Sequence, residues 1–92
     1  MALVLGLDVS TTATKGIVVD GAGAVLGIGV AEYPYEIPRP GWSEQDPALW
    51  WTATQAAVRA ALDAAGVAGD DIGAVGLTGQ MHGSVLLDDA DR

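Results

Sequence analysis

Apolar and polar positions fall in blocks whose period changes along the chain, and each block predicts one element. Leu3–Val9 is a short run rich in Leu and Val, the composition of a strand covered on both faces. Ser10, Thr11, Thr12 and Ala13 interrupt it with small, mostly polar residues. Residues 14–20 contain Ile17, Val18 and Val19, a second strand of β-branched side chains. Asp20-Gly21-Ala22-Gly23 has turn chemistry. A third strand follows over residues 24–33, built on Val25, Leu26, Ile28 and Val30. Strands joined by such short turns predict an antiparallel meander.

The pattern then breaks. Residues 34–45 hold Pro34, Pro38, Pro40 and Gly41 and exclude regular structure, yet Tyr33, Tyr35, Ile37 and Trp42 are too apolar for a flexible linker. An ordered excursion loop is expected. Asp46 and Pro47 form a helix start, Asp as N-cap and Pro at the first helical position. Leu49, Trp50, Ala53, Ala57, Ala60, Ala61 and Ala64 fall at helical spacing, with Thr54 and Val58 on the margin, and Gly66 is a natural stop. Trp50 and Trp51 point about 100° apart on a helix, so only one is expected to reach the deepest core. Ile72–Thr78 is a fourth strand reached across a helix, hence parallel to an earlier one through a right-handed connection. Residues 84–87 predict a fifth strand or an extended segment.

The resulting class is α/β in the order β-β-β-α-β, a mixed sheet with an antiparallel meander and a crossover helix. A doubly wound nucleotide fold would open β-α-β. Gly21-Ala22-Gly23 is followed by a strand where a dinucleotide motif needs a helix, and no Gly-Lys-Ser/Thr sequence marks a P-loop.

Composition changes this picture in three ways. Ninety-two residues make one small domain at most, yet 50% are hydrophobic and the mean hydropathy is +0.33. Either an Ala/Gly-rich composition inflates these figures, or there is more apolar surface than a small solitary domain hides. Asp88-Asp89-Ala90-Asp91-Arg92 has turn composition with no partner strand after it, so the expectation is a piece of a larger protein. The net charge is −8 and the only basic residues are Lys15, Arg39, Arg59 and Arg92, which argues against nucleic acid or an anionic membrane as partner. The absence of cysteine excludes disulfides and thiolate metal sites and fits a reducing, cytoplasmic setting. The apolar start at residues 2–7 lacks a basic leader and is cut short by Asp8, unlike a signal peptide or membrane span.

Two segments carry candidate chemistry. Asp8 closes the first strand, and Ser10, Thr11 and Thr12 offer hydroxyls and successive N–H groups to phosphate oxygens. A carboxylate there suits Mg²⁺, which keeps much of its water shell, and Lys15 supplies a point charge. The same residues also suit a plain polar hairpin. The second segment is Gly79-Gln80-Met81-His82-Gly83, a short glycine-flanked loop after a strand, with the sole histidine of the chain. Gln80 can donate to and accept from sugar hydroxyls and Met81 can pack on ligand carbons; equally, Gln80 can tie down its own loop, Met81 can fill core and His82 can serve as a structural hydrogen bonder. Trp42 is open to either stacking or anchoring, whereas Trp50 and Trp51 suit core and loop anchoring. Asp88, Asp89 and Asp91 lack the following glutamate of a calcium loop and suit a solvated turn.

Taken together these motifs resemble the FGGY carbohydrate kinases of the sugar kinase, Hsp70 and actin superfamily. Gly6-Leu7-Asp8-Val9-Ser10-Thr11-Thr12 is similar to their first phosphate motif. Gly41-Trp42-Ser43-Glu44-Gln45-Asp46-Pro47, with Trp50-Trp51, resembles the segment ahead of their first helix. Gly79-Gln80-Met81-His82-Gly83 resembles the sugar-contact loop of the xylulose-using branch. The resemblance implies a ribonuclease-H-like (actin-like ATPase) half-domain, with residues 1–92 as the N-terminal part of the first of two domains. It implies transfer of a phosphoryl group from MgATP to D-xylulose, with ATP and Mg²⁺ as cofactors. By the same resemblance Asp8 lies near Mg²⁺ and the transferred phosphate. Ser10, Thr11, Thr12 and Lys15 meet ATP phosphates, and Gln80, Met81 and His82 meet the sugar. The family's catalytic base has no counterpart among these residues, so the segment alone is expected to be inactive and to self-associate through an unfinished sheet edge. A sister kinase for ribulose, rhamnulose or glycerol is the nearest alternative reading, and a non-catalytic interaction module is the more distant one.

Overall fold

The side-chain alternation of the first three runs builds one sheet, and the alanine-rich run lies across it. The computed structural model describes residues 2–79 and 84–91. Its elements are β1 (Leu3–Val9), β2 (Ala13–Val19), β3 (Val25–Glu32), α1 (Pro47–Ala65), a single 3-10 turn (Gly69–Asp71) and β4 (Ile72–Thr78). The sheet order is β3-β2-β1-β4. β1 pairs antiparallel with β2, β2 antiparallel with β3, and β1 parallel with β4. This is the predicted meander closed by a parallel strand.

Opposed residues share a face, so the register separates two surfaces. Leu5 faces Val18, which faces Gly27, and Leu7 faces Gly16, which faces Gly29. These residues form the floor under α1. Leu3, Leu5, Leu7, Val18 and Ala61 make the core cluster, and Ala53 and Ala57 are buried beside it. The helix sits close because the floor lacks side chains beneath it. A Cβ on Gly27 would lie 2.5 Å from both Ala61 O and Ala65 N, and one on Gly29 would collide with Ala57 O and Ala61 N. Backbone-to-backbone approach of this kind requires alanine on the helix and glycine on the sheet.

The seam is narrower than the sequence pattern suggests. Only Ala53, Ala57 and Ala61 are buried, while Ala60 and Ala64 are exposed. Neither tryptophan reaches the core: Trp50 is half-buried and Trp51 is 64% exposed. α1 lies over β2 and β3, so the α1 side of β4 is left open. Leu5, Leu7, Trp51, Val58, Leu62 and Val75 line an apolar trough of about 430 Å³ there. The expectation that β1 is covered on both faces is corrected as well. Leu3, Leu5 and Leu7 are buried under the helix, whereas Val4 and Asp8 on the other face are exposed. No second layer covers that face among the described residues.

Both helix ends follow the sequence signals. Asp46 is extended (φ −77°, ψ 116°) and its carboxylate accepts the Ala48 N–H at 3.0 Å. Gly66 is left-handed (φ 69°), with its N–H and that of Val67 donating to Asp63 O and Leu62 O at 3.2 and 3.1 Å. Asp46→Ala is expected to cost about 1 kcal/mol by leaving a first-turn N–H unpartnered, read as a lower thermal midpoint of the full-length protein.

The loop over residues 34–45 is ordered by backbone rather than by burial. Glu36 and Glu44 exchange N–H···O bonds of 2.7 Å each, and the Arg39 guanidinium lies 5.0 Å from the Trp42 ring centre. Tyr35, Ile37 and Trp42 point outward. Residues 84–87 join no ladder among the described residues, so the fifth strand is an extended segment. The Ala90 N–H donates to Asp88 Oδ1 at 2.8 Å, the expected local turn.

Candidate functional site

Parallel pairing brings the C-terminal ends of β1 and β4 side by side, although their sequences are far apart. Asp8 stands opposite Lys15 of β2 on one side and Thr78 of β4 on the other. Lysine, carboxylate and hydroxyl therefore form one row across three strands, on the face away from α1. The Thr78 hydroxyl donates to Asp8 Oδ1 at 3.0 Å and fixes the carboxylate's orientation. The next row inward is Ile17, Gly6 and Gly76. With no side chain on either glycine, the sheet opens into a depression of about 430 Å³ bordered by Asp8, Lys15, Ile17 and Thr78.

The turn from β1 to β2 follows Asp8 in the chain, and its carbonyl groups are all engaged. Ser10 N–H and Ser10 Oγ–H both donate to Ala13 O at 2.9 Å. Tyr33 N–H donates to Thr12 O at 3.0 Å. Tyr33 Oη–H is shared between Ser10 O at 2.5 Å and Ala13 O at 2.9 Å, and it accepts from buried Thr14 Oγ1 at 3.4 Å. Gln45 Nε2–H donates to Thr11 O. Among the described residues, the Thr11 and Thr12 hydroxyls and amide N–H groups make no hydrogen bond. Acceptors face inward and donors stay available, the polarity an anion site needs.

The structure thus brings together Asp8, Lys15 and Thr78, while Thr11 and Thr12 lie in the turn that follows β1 and do not line the depression. Ser10 sits in the same turn, but its single hydroxyl proton is committed to Ala13 O. Gln80, Met81 and His82, the sugar-contact residues expected from sequence, lie outside the described residues. The segment that carries them leaves β4 at Thr78, beside Asp8. No cluster of three or more His, Cys, Asp or Glu among the described residues could cage a metal. One exposed carboxylate with nearby hydroxyls fits Mg²⁺ that is bound mainly through water and phosphate, as this ion prefers.

Sequence reasoning missed Thr78, Tyr33 and Gln45. Thr78 is the position that pairs with Asp8 once the fourth strand is laid parallel against the first. Tyr33 closes the third strand opposite the turn. The mark of Gln45 is its place one residue before the N-cap, five before a tryptophan.

Comparison with known proteins fits this geometry. The chain is 42% identical over 85 residues to a glycerol kinase of Rhizobium rhizogenes, covering 92% of this chain and 17% of that protein. It is 39% identical over 88 residues to a xylulose kinase of Escherichia coli, covering 96% and 18%. The crystal structure of a xylulose kinase from Rhodospirillum rubrum superposes with a TM-score of 0.86 at 34% identity, covering 98% of this chain and 18% of that one. The chain therefore spans less than a fifth of the length of these relatives. Residues 3–92 match the N-terminal domain of the FGGY family of carbohydrate kinases, with its actin-like ATPase half-domain fold, and the chain belongs to that family.

Proposed function

We propose that the full-length protein transfers the terminal phosphoryl group of ATP to a hydroxyl of a small sugar, with D-xylulose as substrate. Residues 1–92 then form the N-terminal part of the first of its two domains. The observation that carries this reading is the Lys15–Asp8–Thr78 row, followed along the chain by a turn whose carbonyls are engaged within the fold while the Thr11 and Thr12 donors stay open. Lys15 meets phosphate charge. The Thr11 and Thr12 donors hold phosphate oxygens, and Asp8 orients the metal's water shell. Mg²⁺, when bound, neutralises charge on the transferred group. The sugar hydroxyl loses its proton to a base supplied by the rest of the protein. Gln80, Met81 and His82 form the sugar contact, and the xylulose assignment rests on that sequence.

A second reading, glycerol as substrate, is favoured by the similarity to the Rhizobium rhizogenes enzyme. ATP-dependent phosphorylation by the full-length protein, measured across D-xylulose, glycerol, ribulose and rhamnulose, separates the two. Highest kcat/KM on glycerol overturns the xylulose assignment and leaves the kinase intact. His82→Ala is expected to lower kcat/KM for the sugar by about 10- to 100-fold while sugar-independent ATP hydrolysis stays near wild type. Equal loss of both activities removes His82 from the sugar pocket.

A further inference from the structure

Gln45 belongs to the Gly41–Pro47 motif, which the phosphate and sugar assignments leave without a role. Both of its N–H donors and its oxygen are engaged. Trp50 Nε1–H donates to Gln45 Oε1 at 3.0 Å, while Gln45 Nε2 donates to Thr11 O and, at 3.4 Å, to Pro34 O. An indole nitrogen can only donate, so it admits one orientation of the amide: oxygen toward Trp50, nitrogen toward the two carbonyls. Two N–H groups then meet two acceptors. Trp50 stands in the first turn of α1, and α1 is seated on the sheet through Ala53, Ala57 and Ala61. A chain of contacts thus runs from the helix seam to the β1–β2 turn.

Its effect on the turn follows from peptide geometry. Across a trans peptide the C=O of one residue and the N–H of the next point in opposite directions, and no cis bond is present among the described residues. Gln45 draws Thr11 O inward, which turns the Thr12 N–H outward. Tyr33 does the same with Ser10 O, which turns the Thr11 N–H outward. We infer that Gln45, oriented by Trp50, is a positioning residue that aims the Thr12 N–H at a phosphate of the bound nucleotide. This role rests on the kinase reading above.

The test uses the full-length protein and Gln45→Met, which keeps the side chain's length and removes its hydrogen bonds. Binding of a non-hydrolysable ATP analogue, adenosine 5′-(β,γ-imido)triphosphate with Mg²⁺, is measured by calorimetry, alongside KM for ATP and for the sugar. Gln45→Met is expected to weaken the analogue and to raise KM for ATP about 5- to 10-fold, with KM for the sugar within about 2-fold of wild type. Trp50→Phe keeps an aromatic ring while removing the orienting N–H together with the five-membered half of the indole, and should move the same two quantities by about 3-fold. It decides the question if Gln45→Met does not fold. Unchanged nucleotide affinity overturns the role. So does a parallel fall of nucleotide affinity, sugar affinity and thermal midpoint, which marks Gln45 as a structural support alone. A wild-type protein that neither binds the analogue nor consumes ATP fails differently: it sinks the kinase reading itself, and the positioning role with it.

Discussion

Replacing Asp8 by Asn in the full-length protein is expected to lower kcat by about 10²- to 10³-fold, the scale of losing one preorganised electrostatic contact to a transition state. The thermal midpoint should move by no more than about 2 °C. The two expectations separate because of where Asp8 sits. It is exposed at a strand end, and its described side-chain hydrogen bond is accepted from Thr78. An Asn side-chain oxygen can accept the same bond, so shape and pairing survive while the negative charge is lost. Only a function that needs the charge should respond. Steady-state turnover read beside a thermal scan checks both halves, and wild-type turnover in the variant would remove Asp8 from the reaction.

The largest stability effect is expected at Gly29 or Gly27, on the sheet face opposite Asp8 and Lys15. Gly29→Ala places a methyl group against Ala57 O and Ala61 N, and Gly27→Ala places one 2.5 Å from Ala61 O and Ala65 N. These neighbours are helix backbone and cannot rotate aside as a side-chain tip would. The helix must retreat, opening the contacts of Ala53, Ala57 and Ala61 at once. A cost of about 3 kcal/mol or more is expected for either change, read as a lower thermal midpoint of the full-length protein. Gly21→Ala is the control: nothing lies within 4 Å of its added Cβ, and a change within about 0.5 kcal/mol is expected. Equal behaviour at all three positions would mean that the helix does not rest on the glycine floor.

Much of this fold was legible because its signals are local. Strand limits follow the apolar runs, and the helix is bracketed by Asp46 and Gly66. Parallel placement of β4 follows from the intervening helix. Layer depth was not legible. Leu3–Val9 has the composition of a doubly covered strand, yet hydropathy cannot say whether a second layer is at hand to cover Val4. The alanine stripe was overdrawn for a related reason. Ala60 and Ala64 fit the helical period, but the width of the seam is set by glycines on the facing strands.

The site divided along the same line. The placement of Asp8 opposite Lys15 was legible, because one short turn joins the two strands that carry them. Thr78 and Gln45 were not, since each acts on a group more than thirty residues away. Ser10 looked equivalent to its neighbours, and only the coordinates show its proton spent on Ala13 O.

The bond from Thr78 to Asp8 joins residues 70 positions apart, and this bears on how the chain folds. The hairpins of the meander close over short spans, whereas β4 can dock only after a long loop has been drawn shut, an entropically slow event. During synthesis the Asp8 carboxylate therefore waits without its Thr78 neighbour until the fourth strand has left the ribosome.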